Sequence, residues 1–259
     1  MSKQPIGIFD SGVGGTSIWK EINSLLPNEN TIYLADSKNA PYGLKGKKRI
    51  EELSKKNVEL LLDKNCKLIV VACNTATTNA IKHLRNKYKT PFIGIEPAIK
   101  PAALQTKTNA IGILATKGTL TSDLFHKTTN LFGNGITIVE QEGEGIVQLI
   151  ETGKLYSEEM KGLLNIYLKP MIEANIDRLV LGCTHYPYLV PILLEILPKH
   201  VKIIDSGEAV ARQTKAVLEK HQLLNTSKAK AKHQFYTNGN PKVMGELLDN
   251  AYKVEYLRF

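Results

Sequence analysis

The stretch Leu68-Ile69-Val70-Val71-Ala72-Cys73-Asn74-Thr75-Ala76-Thr77 constrains the fold more than any other. Four branched apolar residues in a row read as a strand buried on both faces, as in parallel sheets. A small residue, a cysteine and short polar side chains follow and open a helix. Asn74 or Thr75 is expected to cap that helix, leaving backbone N–H groups directed beyond the strand's end. In open α/β sheets the crevice beyond the strands' carboxyl ends is where ligands bind. Arg178-Leu179-Val180-Leu181-Gly182-Cys183-Thr184-His185 repeats the plan, with a helix expected from near Tyr188. A second echo joins Ile8-Phe9-Asp10-Ser11-Gly12 to Ile203-Ile204-Asp205-Ser206-Gly207. Doubled strand-end motifs indicate two similar α/β lobes facing each other across a cleft, each contributing one thiol. Single free cysteines are usually inert filler; two in matched strand-to-helix contexts point to a site.

Strand and helix patterns alternate along the whole chain, as in mainly parallel sheets flanked by helices. Strands are expected at 7–9, 32–35, 68–71, 92–95, 110–114, 136–139, 178–181, 201–204, 234–236 and 254–257. Helices are expected near 47–64, from Cys73 through His83, at 158–174, 208–223 and 241–250, with a short one ending at Glu151. Glu96 reads as a strand-end carboxylate, and Glu140, Glu142 and Glu144 as a loop after the strand at 136–139. The lobes are expected to divide as 1–97 plus 208–259, a discontinuous first lobe, and 98–207.

The 259 residues, 42% hydrophobic, suffice for two cores of this kind. No apolar run approaches the roughly 18 residues of a membrane span, and no charged-then-apolar leader opens the chain. Three cysteines fit neither a disulfide framework nor paired zinc knuckles, so a reducing, cytoplasmic setting is expected. The net charge of +9 favours anionic partners in general. The basic runs Lys45–Arg49 and Lys228–Lys232 lack interleaved aromatics, which argues against specific nucleic-acid binding. Cys66 lies outside both strand-end motifs and reads as structural.

The glycine-rich turn Asp10-Ser11-Gly12-Val13-Gly14-Gly15 admits two readings. Gly12 and Gly14 match the first two glycines of a dinucleotide fingerprint, with Asp36 as the acidic residue after the next strand, but Ser17 stands where the third glycine belongs. The alternative is an anion-binding helix start with Asp10 either projecting into the cleft or capping the turn. The thiols likewise admit three chemistries. Metal binding has thin support in Cys183, His185 and one distant Cys73. A cysteine nucleophile with a histidine base employs only one thiol. Two thiols on opposite faces of a small substrate can remove and return a proton at one carbon, inverting it, without metal or other cofactor. A thiol suits this when its pKa, near 8.5 unperturbed, is drawn toward the working pH. His185 favours thiolate, and Asp10 disfavours it at Cys73.

Four blocks then stand together: Phe9-Asp10-Ser11-Gly12-Val13-Gly14-Gly15, Pro41-Tyr42-Gly43, Ala72-Cys73-Asn74-Thr75-Ala76 and Gly182-Cys183-Thr184-His185-Tyr186-Pro187. In this order they resemble the signature blocks of the bacterial glutamate racemases, within the aspartate/glutamate racemase family, over residues 6 to about 211. The resemblance implies a cofactor-independent two-base racemase that makes D-glutamate for peptidoglycan, most simply as a homodimer. It implies Cys73 and Cys183 as the acid/base pair, assisted by Asp10, His185 and Glu151. It also implies substrate contacts at Asp10, Ser11, Tyr42, Gly43, Asn74, Thr75, Thr116, Thr119, Thr184 and His185. The family commonly carries a Cys-Pro pair where this chain has Gln141-Glu142-Gly143, which leaves the alignment of Glu151 open. No block covers the segment after Asn225.

Overall fold

The computed structural model describes residues 2–227 and 229–259. Ten strands form two sheets: β1 (Ile6–Asp10), β2 (Thr31–Ala35), β3 (Leu68–Val71), β4 (Phe92–Gly94), β5 (Ala110–Ala115), β6 (Thr137–Glu142), β7 (Arg178–Gly182), β8 (Lys202–Ile204), β9 (His233–Thr237) and β10 (Val254–Tyr256). The first sheet runs β10-β9-β2-β1-β3-β4 and the second β6-β5-β7-β8. Every pairing is parallel, with Phe9 opposite Val71 in one sheet and Ala115 opposite Gly182 in the other. Parallel strands need crossover connections, and helices supply them. These are α1 (Thr16–Leu25), α2 (Lys47–Asp63), α3 (Asn74–Lys87), α4 (Ile99–Gln105), α5 (Lys117–Leu120), α6 (Asp123–Phe132), α7 (Ile146–Glu151), α8 (Glu158–Glu173), α9 (Val190–Ile196), α10 (Gly207–Lys220) and α11 (Pro241–Leu247). The α/β class of two parallel sheets flanked by helices is as the pattern indicates. Among the described residues no helix is long and apolar enough to cross a membrane.

The period of two in each strand sorts side chains to opposite faces. Ile6, Ile8, Leu68, Val70 and Ala72 join α1 in a core that continues without a break into α7, α8 and the Leu179–Leu181 face of the second sheet. Phe9, Ile69, Val71 and Cys73 face the other way, against α2 and α3. A third cluster packs Ile111, Ile113 and Val180 against α4 and Phe125.

Several local expectations are corrected. The N-cap of α3 is Cys73 itself, whose sulfur accepts from the Ala76 N–H at 3.4 Å, rather than Asn74 or Thr75. Helix α3 runs on to Lys87 past His83, and α10 and α11 stop short at Lys220 and Leu247. Helix α4 falls where no helix is anticipated. Pro101 stands in the first turn, where the missing N–H would have had no intrahelical partner. Strand β6 extends through Glu140 and Glu142, since an edge strand with a solvated face accommodates charge. Beyond β7 the chain makes a 3-10 turn over Tyr186–Leu189 before α9 begins at Val190. Glu96 is exposed beyond the end of β4, and what it offers is its carbonyl, which accepts from Ser206 Oγ at 2.5 Å. The basic run after Asn225 begins at Lys228, outside the described residues.

Cys66 is filler. Its sulfur would stand 2.9 Å from a Cβ placed on Gly7, so the glycine makes room for it, and burial pushes the thiol up to about 12. Lys67 beside it is a tie point. Its side chain is 1% exposed and pairs with Glu29 Oε2 at 2.5 Å, while Nζ also donates to the carbonyls of Ser2 and Leu223. Glu29 Oε1 accepts from the Asn225 N–H at 2.7 Å. One buried pair thus joins the N-terminus, the approach to β2, the start of β3 and the segment leading to β9. Lys67→Met should lower unfolding stability by about 3–5 kcal/mol, because it leaves Glu29 charged and buried. Urea unfolding checks this, and Lys67→Met with Glu29→Leu should recover part of the loss.

Candidate active site

The carboxyl ends of β1, β3, β5 and β7 converge between the two sheets. After β1 the chain turns through Ser11–Gly15 into α1, and Asp10 holds the turn from inside. Its Oδ1 accepts from the Ser11 N–H and its Oδ2 from the Gly15 N–H, both at 2.7 Å. Thr184 Oγ1, from beyond β7, reaches Oδ2 at 3.3 Å. The turn is tight: a Cβ on Gly15 would lie 2.8 Å from the Ala72 carbonyl, and one on Gly14 would strike the His185 ring at 2.3 Å. Asp10 is fully buried with no cation in the turn, and burial raises its pKa, against the lowering effects of His185 and the Gly15 N–H.

Cys73 is 4% exposed and donates toward Ser11 Oγ at 3.5 Å. Burial pushes its pKa well above the ordinary thiol value, and the Asp10 charge pushes it further, against the Ser11 and Ala76 hydrogen bonds. In the unliganded molecule it is therefore a thiol, a proton donor.

The surroundings of Cys183 are of the opposite kind. Its Sγ lies 3.7 Å from His185 Nδ1, and His185 Nε2 lies 2.6 Å from Glu151 Oε1 at the end of α7. Glu151 Oε1 also accepts from the Val13 N–H at 2.6 Å, which ties α7 to the glycine turn. Burial alone would depress the His185 pKa. The hydrogen bonds and charges of Cys183 and Glu151 outweigh it and raise the pKa well above the usual value. As an imidazolium His185 donates from both ring nitrogens, toward sulfur and toward carboxylate, so the Gly14 N–H at 3.2 Å from Nε2 has no lone pair to use there.

Three threonine hydroxyls bridge the lobes. Thr75 Oγ1, at the start of α3, stands 2.8 Å from Thr116 Oγ1 and 3.3 Å from Thr119 Oγ1, and the last two are 3.1 Å apart. Gly43 seals this edge, for a Cβ there would lie 3.0 Å from Thr116 Cβ. Between the lobes remains a narrow cavity of about 10 Å³. Both cysteines face it, with Ser11, Tyr42, Gly43, Asn74, Thr75, Thr116, Thr184 and His185 in its wall. Both side-chain heteroatoms of Asn74 are buried without a partner. A buried amide left so is the mark of a place where a polar ligand belongs. A larger open groove, lined by Lys47, Lys82, Arg85 and Lys127, touches neither thiol.

Of the residues singled out from sequence, Asp10, Thr119 and Glu151 stand behind the wall and support it through Ser11 and Thr184, Thr75 and Thr116, and His185. The Tyr42 hydroxyl turns inward, donating to Asp36 Oδ2 at 2.6 Å and accepting from Asn57 Nδ2 at 3.1 Å, so it is not free for a substrate. Pro41 and Val147 line the cavity without having been singled out. The Pro-Tyr-Gly turn held the signal for the first, and an apolar residue one helical turn before Glu151 carries none. Asp36, the acidic residue of the dinucleotide reading, is consumed by protein donors.

The family model for Asp/Glu/Hydantoin racemase matches residues 6–214. Glutamate racemase from Herpetosiphon aurantiacus is 42% identical over 93% of this chain and 95% of its own length. The glutamate racemase of Ectopseudomonas mendocina is 43% identical over 95% and 94%. Among solved structures, Escherichia coli glutamate racemase in complex with L-glutamate and the activator UDP-MurNAc-Ala superimposes with a TM-score of 0.86. It is 34% identical, over 98% of both chains.

The surroundings of Cys73 give a direct test. Because its pKa is raised, the thiolate fraction at neutral pH falls below that of a free cysteine. In Cys183→Ala protein, iodoacetamide should alkylate Cys73 at pH 7 at least about tenfold more slowly than free cysteine, with the rate rising steeply above about pH 9. Mass spectrometry of the Cys73 peptide reads this, and Asp10→Asn should shift the profile to lower pH.

Proposed function

The chain belongs to the Asp/Glu/Hydantoin racemase family, and on that footing we infer that the two-thiol cavity interconverts L- and D-glutamate. The observation that carries the reading is the pair of cysteines on opposed strand ends, facing one small cavity beside an unpartnered amide. The lining suits a small zwitterion, with Asn74 and the three threonine hydroxyls to bind its carboxylates, and the lobes must part to admit it, since the cavity measures only about 10 Å³.

The proposed reaction needs only what these side chains hold. One sulfur, as thiolate, takes the α-proton from one face of glutamate, and the electron pair left on Cα is shared with the α-carboxylate. The opposite sulfur, as thiol, gives its proton to the other face. The configuration is inverted, and the protonation states of the two sulfurs are exchanged. The imidazolium of His185, oriented by Glu151, stands where it stabilises a Cys183 thiolate. Cys73 starts as the thiol, and its deprotonation in the reverse direction requires a positive group to offset Asp10. The substrate ammonium is such a group. By family likeness Cys183 serves the L-enantiomer and Cys73 the D-enantiomer.

We assign the lobes as 1–97 with 208–259 and as 98–207. Supporting this, the chain passes between the sheets at Glu96–Ala98 and near Asp205–Gly207, where Ser206 ties the two crossings together. A homodimer in the cytoplasm supplying D-glutamate to peptidoglycan completes the proposal. In its favour, Cys66, Cys73 and Cys183 are all unpaired.

Cys73→Ala and Cys183→Ala should each abolish net racemisation, since a positioned acid or base contributes about 10²–10⁴-fold. Proton abstraction should survive one-sidedly. In heavy water, Cys183→Ala should still exchange the α-proton of D-glutamate slowly and Cys73→Ala that of L-glutamate, as followed by proton nuclear magnetic resonance. Exchange of both enantiomers by one variant would show that a single base is enough.

A further inference from the structure

The C-terminal segment, which no signature block covers, meets the residues behind the cavity wall at Asn238. Strand β9 lies beside β2 with Thr237 opposite Ala35, so the next residues, Asn238 and Asp36, emerge side by side at the carboxyl edge of the sheet. The Asn238 Nδ2 donates to Asp36 Oδ1 at 2.6 Å, and its Oδ1 accepts from the Lys38 N–H at 2.9 Å. Asp36 Oδ1 also accepts from Asn39 Nδ2 at 2.8 Å, and Oδ2 accepts from the Tyr42 hydroxyl at 2.6 Å. Asn57 of α2 donates to that hydroxyl from the far side. Asp36, Asn238, Tyr42 and Asn57 are each no more than 5% exposed. Burial and the neighbouring Asp36 charge raise the Tyr42 pKa well above its ordinary value, so the phenol keeps its proton and remains a donor.

From this geometry we propose that Asn238 is a positioning residue for racemisation, acting through Asp36 to hold Tyr42 and thereby the Pro41–Gly43 wall of the cavity. The chain of contacts is continuous. Asn238 fixes the carboxylate and the Lys38 backbone, the carboxylate fixes the phenol, and the phenol fixes the turn whose Gly43 meets Thr116 of the other lobe. Buried polar groups bonded in series specify one arrangement, and removing one member leaves its partners unsatisfied. A wall held in its closed place only part of the time weakens substrate binding in proportion to the fraction lost. The inference rests on the cavity being the substrate site.

A double-mutant cycle on purified enzyme tests it, with KM and kcat for both enantiomers and the melting temperature of each variant. Asn238→Ala should raise KM about tenfold with kcat within about threefold, and Tyr42→Phe should do the same. In the Tyr42→Phe background Asn238→Ala should raise KM less than about twofold further, because the path it acts through is already cut. Effects that multiply in the double variant would mean that Asn238 acts on KM by a path other than Tyr42, and overturn the proposal. Unchanged KM in Tyr42→Phe also overturns it, even where Asn238→Ala is too unstable to assay. Cys73→Ala with normal racemisation would instead remove the site itself. Normal Asn238→Ala kinetics beside an inactive Cys73→Ala would remove only the clamp.

Discussion

The carboxylate of Asp10 is the group around which this molecule is arranged. It is fully buried at the end of β1, and its oxygens are satisfied by two backbone N–H groups of its own turn and one hydroxyl from the opposite lobe. Such a charge is costly to bury unless it is fully hydrogen-bonded, and the glycine turn exists in the form that does this. The same turn passes its Val13 N–H to Glu151. One buried charge therefore fixes the shape of the loop, the approach of the two lobes and the electrostatic surroundings of Cys73.

The consequence is asymmetry. Two cysteines in similar local sequence stand in unlike fields: Cys73 beside the buried Asp10 carboxylate, Cys183 beside a histidine whose proton is held by a second carboxylate. Proton transfer across one carbon needs one group charged and the other neutral, and burial with the Asp10 charge holds Cys73 as the neutral one before any ligand arrives.

The last third of the first sheet is built by the chain's C-terminal part, and it matters in two places. At one end of the strands the Lys67–Glu29 pair closes on Leu223 and Asn225. At the other, Asn238 meets Asp36. Both are buried polar joints, where geometry is specified more sharply than by apolar packing alone.

Much of this was legible in the residues. Continuous apolar runs such as Leu68–Val71 and Leu179–Leu181 mark parallel strands, because burial on both faces removes the alternation of a half-exposed strand. Cysteine followed by short polar residues marks the strand ends, and with the signature blocks this located the cavity wall. The errors lay where an edge strand tolerates charge, as at Glu140 and Glu142, and where a short helix went unanticipated, as at Ile99–Gln105. What the chain's local pattern could not decide was which distant side chains would meet. Glu151 reaches Val13 across the cleft, Asn238 reaches Asp36 across two strands, and the Tyr42 hydroxyl turns inward. Periodicity encodes the face that a residue presents within its own element. Strand order and crossovers decide what that face meets, and those belong to the folded chain as a whole.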